Sequence, residues 1–84
     1  MKTYERYVKK ATTYEFFKLK RKAIDVMKEA TRQPFSNLEK GSGYIYIGLL
    51  YQELKELDQA SSYFEAALKL CEAEQYSFSP NESA

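Results

Sequence analysis

The chain lacks histidine and tryptophan, and it has one cysteine, two prolines and three glycines in 84 residues. Without histidine it lacks the side chain that most often serves as general base or metal ligand near neutral pH. Cys71 stands alone, so no intrachain disulfide can form and nothing points to an oxidising compartment. No apolar run approaches the roughly 18 residues that a membrane span needs. The opening "MKTYERYVKK" is charged and amphipathic, unlike a secretion signal. The glycines of "GSG" at 41–43 are neither preceded by a strand pattern nor followed by lysine, so they make no phosphate loop. These absences predict a soluble cytoplasmic protein that is not an enzyme, with no catalytic, cofactor or metal residues to assign. Cys71 falls on the apolar side of a helical pattern without a basic neighbour, and the expectation is a small core residue.

What the chain does have is aromatic and aliphatic mass. Eight Tyr and five Phe supply enough apolar surface for one small domain. At this length burial barely offsets chain entropy, so packing must be good or a partner must help. Charge is unevenly spread. Residues 1–40 carry eleven Lys/Arg and five Asp/Glu, a net +6, whereas residues 41–84 carry two and seven, a net −5. A chain polarised in this way can dock a charged partner at one end or another copy head to tail.

Helical periodicity dominates the pattern. Tyr4, Tyr7, Val8, Ala11, Tyr14 and Phe17 follow i, i+3, i+4, i+7 spacing, and Leu19, Ala23, Ile24, Val26, Met27 and Ala30 continue it. No breaker separates the two series, so periodicity alone allows one long helix or two. "TRQPFSNLEKGSG" then reads as a connection, with Ser36 and Glu39 spaced for a capping box and a helix start between Asn37 and Gly43. That helix runs through "YIYIGLLYQELKEL". Leu57-Asp58-Gln59 reads as a short turn with Asp58 as N-cap. The last helix carries Ala60, Tyr63, Phe64, Ala67, Leu68 and Cys71 at helical spacing. "YIYIGLLY" has strand-forming residues, but its flanks hold helical phase too long for a strand.

The glycine inside "YIYIGLLY" carries the clearest motif. Tyr44, Ile47, Gly48, Tyr51, Ala60, Phe64 and Ala67 stand in the order and spacing of a helix-pair repeat of about 34 residues. Residues 41–74 therefore resemble a tetratricopeptide repeat. The departure is Glu72, where the motif often has proline, so the last helix is expected to continue, to about Gln75. A degenerate copy lies 37 residues earlier, in Tyr7, Ala11, Tyr14, Ala23, Met27 and Ala30, giving a first unit at about 4–37. The expected fold is all-α: one domain, residues 1–75, of two antiparallel helical hairpins of this type, with a flexible tail at 76–84.

The resemblance also implies a function. In this family the first helix of each hairpin lines a groove that usually binds proteins or peptides. The corresponding positions here are Glu5, Val8, Thr12 and Glu15, then Ser42, Ile45, Leu49 and Gln52. Independently of the family, Ile45 and Leu49, flanked by Tyr46, lie off the face that Tyr44, Ile47, Gly48 and Tyr51 use, so something must cover a second side. Val8 and Thr12 occupy positions where some repeats carry Lys and Asn to clamp a C-terminal carboxylate, so an apolar or mixed groove is expected. Two repeats are fewer than the three or more that usually bury a continuous core, which makes a homodimer attractive. A rival reading is a nucleic-acid accessory protein using "KLKRK" at 18–22. With nearly neutral net charge and no nucleic-acid motif, a solvated turn explains that cluster better.

Overall fold

The computed structural model describes residues 3–78. Four helices follow one another: α1 (Tyr4–Phe16), α2 (Lys20–Thr31), α3 (Asn37–Glu53) and α4 (Leu57–Phe78). The described residues contain no strand. Consecutive helices pack on one another, α1 on α2, α2 on α3 and α3 on α4. The result is a pair of helical hairpins, all-α as the sequence predicts. The envelope measures 51 × 33 × 16 Å, a slab whose helices all lie near solvent.

Two of the helix starts have a side-chain cap. Thr3 caps α1, its side chain accepting from the Arg6 amide. The predicted capping box opens α3: the Glu39 amide donates to Ser36 Oγ at 3.1 Å, and the Ser36 amide donates back to Glu39 Oε1 at 3.3 Å. The box places the helix start at Asn37, so Gly41 and Gly43 lie within α3 and not in the connection.

Two short turns make the hairpins, and they are built alike. Phe17 caps the end of α1 and Lys18 after it takes φ 63°; Leu54 caps the end of α3 and Lys55 after it takes φ 66°. The Lys18 amide donates to the Glu15 carbonyl at 2.8 Å and the Leu19 amide to the Tyr14 carbonyl at 2.8 Å. Shifted by 37 residues, Lys55 donates to Gln52 at 3.0 Å and Glu56 to Tyr51 at 2.9 Å. Both are Schellman closures, which satisfy the last carbonyls of a helix and normally use glycine at the left-handed position. The question of one long helix or two is settled by this turn. Leu57-Asp58-Gln59 is not a turn: the reversal is Leu54-Lys55-Glu56, and Asp58 lies in the first turn of α4, where its charge faces the positive helix end. α4 continues to Phe78, beyond the expected Gln75, because no proline stands at Glu72 to stop it. Of the expected tail, residues 79–84 lie outside the described residues.

The core runs along the middle of the slab. Ala11, Ala23, Met27, Ala30 and Ile47 are fully buried, and Leu50 nearly so. Each large side chain among them contributes about 1.5–3 kcal/mol. Phe35, in the connection, closes one end by edge-on contacts with Tyr4 and Tyr7, ring centroids 5.8 and 6.0 Å apart. Cys71 is exposed, contrary to the expected core position.

Candidate protein-interaction groove

The groove is framed by what locks the hairpins together. Gly48 faces α4, and a Cβ there would stand 2.6 Å from Phe64 Cε1. The missing side chain is thus the space the Phe64 ring occupies. Tyr51 stacks on Tyr63 with centroids 5.8 Å apart, and Tyr44 meets Tyr63 at 5.9 Å. Ala60 and Ala67 are buried on the α4 side. Gly43 faces α2, where a Cβ would stand 3.1 Å from Thr31 Cγ2. The two glycines let one helix approach two neighbours. Leu50, absent from the repeat motif, fills the α2 side of α3.

α1 and α3 meet on the remaining side. The Tyr46 hydroxyl donates to Glu15 Oε1 at 2.7 Å. Partial burial and then this bond push the Tyr46 hydroxyl well above its ordinary pKa of 10.0, because the charged phenolate would lose water and face a carboxylate. Tyr46 and Glu15, both placed on the groove by sequence, thus bind each other and form a wall. Beside them an open depression is lined by Tyr4, Val8, Ser42, Ile45, Tyr46 and Leu49. Ile45 and Leu49 are 46 % and 48 % exposed, side by side on α3. Val8 is half-buried. Thr12 and Gln52 are exposed and stand apart from this lining, with Thr12 Oγ1 donating to the Lys9 carbonyl at 2.9 Å. Tyr4 belongs to the lining and was absent from the sequence assignment; it lies one turn before Val8, and that i, i+4 relation is the signal that identifies it.

The basic cluster lies at the other end. Lys18 is in the turn, and Lys20 to Lys22 open α2. Arg21 is bonded to Glu56, and Lys20 Nζ lies 3.7 Å from Glu53. The Glu56 carboxylate raises the Arg21 pKa, through the hydrogen bond first and charge second. Two of the four cations therefore tie the first hairpin to the second. Farther along α2, Lys28 Nζ stands 5.5 Å above the Tyr51 ring, a cation–π contact across the same helix pair. No described helix is long and apolar enough to cross a membrane, and among the described residues no three His, Cys, Asp or Glu side chains gather as metal ligands would.

Residues 42–74 match the family model of the tetratricopeptide repeat. No curated protein and no solved structure gives a significant match to the chain. The matched span holds the larger part of α3, the Schellman turn and the α4 segment that α3 covers, which are the parts joined by Gly48 and Phe64. The second hairpin is thus the part of the chain that is similar to a tetratricopeptide repeat.

Proposed function

We propose that the chain is a non-catalytic protein-interaction module that holds a peptide or an extended segment of a partner protein between α1 and α3. The observation that carries this reading is the pair Ile45 and Leu49. Both are large and half-exposed, and they adjoin Val8 and Tyr4 in one depression instead of lying scattered on the surface. Contiguous apolar surface rimmed by polar groups marks interaction sites, and Ser42 and the Tyr46–Glu15 pair supply the rim. A regulatory or adaptor role follows, since nothing in the groove carries chemistry. Pairing with a second copy through this groove is one form of the same role. A cytoplasmic location belongs to the proposal too, as the free thiol of Cys71 suits a reducing compartment.

Leu49→Asp tests the groove. The variant should fold with the thermal midpoint of the wild type and lose the partner that a wild-type pull-down retains. If it unfolds the monomer, the leucine belongs to the core and the reading fails. Sedimentation equilibrium at micromolar concentration addresses the second copy: mass that rises with concentration and returns to monomer in Leu49→Asp supports pairing, and a monomer throughout removes it.

A further inference from the structure

The 37-residue shift that superimposes the two turns also relates α2 to α4. On α2, one face is covered by α3. Its members Ile24 and Met27 are buried, Lys20 and Arg21 pair with Glu53 and Glu56, Lys28 lies over Tyr51, and Thr31 meets Gly43. The same positions on α4 are Ser61, Phe64, Leu57, Asp58, Glu65 and Leu68. Among the described residues Phe64 meets α3 at Gly48, whereas Leu57, Asp58, Ser61, Glu65 and Leu68 stay exposed. Leu57 and Leu68 are 61 % and 57 % exposed, and Phe64 is half-buried although Met27 is fully buried. Leu57, Phe64 and Leu68 form one stripe. Asp58, Glu65 and Glu72 recur every seventh residue beside it, all exposed. Where α2 offers cations to Glu53 and Glu56, α4 offers carboxylates beside an apolar stripe.

We propose that the outer face of α4 binds a basic amphipathic helix of a partner protein, seated on α4 as α3 is seated on α2. The occupant needs a small residue opposite Leu68, where α3 has Gly43, and Lys or Arg opposite Asp58 and Glu65. A second copy does not meet these demands. Its α3 and the turn that follows would bring Glu53 and Glu56 against Asp58 and Glu65. Its α1 has Arg6 where α3 has Gly43, so it lacks the small residue that the contact with Leu68 calls for. This surface is separate from the α1–α3 groove, so either can fail alone.

The test uses two synthetic amphipathic peptides of about 17 residues, the length of α3. Both have the same leucine and alanine stripe; one has lysine flanks, the other glutamate flanks. Binding to the full chain is read by calorimetry and by protection of Cys71 from alkylation, since this single exposed thiol lies next to Glu72 on α4. The lysine peptide should bind and the glutamate peptide should not. Leu68→Asp should weaken binding by about tenfold or more, as a lost buried leucine does. Glu65→Lys should weaken it severalfold, and Leu49→Asp should leave it unchanged. Circular dichroism shows that each variant folds, and Leu68→Ala, which removes the side chain without adding charge, should also weaken binding if the stripe is the contact. The proposal is overturned if both peptides bind alike, if Leu49→Asp rather than Leu68→Asp abolishes binding, or if the chain self-associates through α4, so that Leu68→Asp converts a dimer to a monomer.

Discussion

At the scale of single residues, Gly48 shows how a position unfavourable to its own helix serves the packing of two. Glycine costs a helix interior about 1 kcal/mol relative to alanine. Here the Phe64 ring lies where the alanine methyl would go, 2.6 Å from the Cβ position. Gly48→Ala should therefore lower stability by about 1 kcal/mol, the gain in helix propensity being outweighed by displacement of the ring. In a Phe64→Ala background the same change should raise stability by about 1 kcal/mol, because the obstacle is gone. Urea denaturation of the four proteins in this cycle checks it: equal effects of Gly48→Ala in both backgrounds refute the steric account. The need for a small residue at 48 is legible in the sequence as a glycine inside a large apolar run. Gly43 was not legible in the same way, because Ser, Asn and Gly around it look like loop. Only the approach of α3 to Thr31 and Met27 explains a glycine inside that helix.

At the scale of elements, both hairpin turns place lysine where the backbone must be left-handed. A residue with a Cβ is strained there by roughly 1 kcal/mol, whereas glycine is not. Lys18→Gly and Lys55→Gly should each raise the thermal midpoint, with a gain of about 0.5–1 kcal/mol after the extra entropy of glycine in the unfolded chain is counted. Lys55→Val should lower it by more than that. Unchanged midpoints in all three would show that the turns relax at no cost. The missing glycine also explains why the sequence left open one helix or two over residues 3–31. The usual signal of a helix stop is absent, and the break at Lys18 is imposed by the closure bonds and by α2 folding back on α1. The misplaced turn at Leu57-Asp58-Gln59 has a related origin. Asp58 looks like an N-cap by residue type, but the Schellman closure at Lys55 lets the next helix begin two residues earlier, at Leu57.

For the molecule as a whole, the two hairpins are joined by polar contacts as well as by the core. Arg21–Glu56 and Lys20–Glu53 bridge one end, and Tyr46–Glu15 bridges the groove side. The Tyr46 hydroxyl has a consequence for pH. Its pKa is raised in the folded protein above the ordinary 10.0. The folded state therefore holds this proton more tightly than the unfolded chain, and the associated stability is complete below about pH 10 and falls as pH rises above it. Between about pH 9 and 11 the wild type should lose more stability than Tyr46→Phe, which has no phenolic proton to lose at this position. At neutral pH the variant should be less stable by about 1 kcal/mol, the loss of one partly exposed bond to a carboxylate. Guanidinium unfolding at both pH values distinguishes this from a purely steric role, for which the two proteins would respond alike.

The sequence by itself determined the helical class, the capping box, the repeat at its second hairpin and a faint copy of it 37 residues earlier. These depend on short-range rules: periodicity, capping chemistry and the fixed spacing of small and aromatic residues at one helix crossing. The tertiary structure decided which apolar residues are left over. Ile45, Tyr46 and Leu49 are equivalent as letters in a helix, yet α1 takes Tyr46 through Glu15 and leaves the other two half-exposed. Leu68 and Cys71 have the spacing of core residues, yet they lie on the side of α4 that α3 does not reach. Burial depends on where the neighbouring helix ends and on which face its approach covers. That is fixed by the packing of Gly43 and Gly48 against α2 and α4, not by the local pattern of either helix.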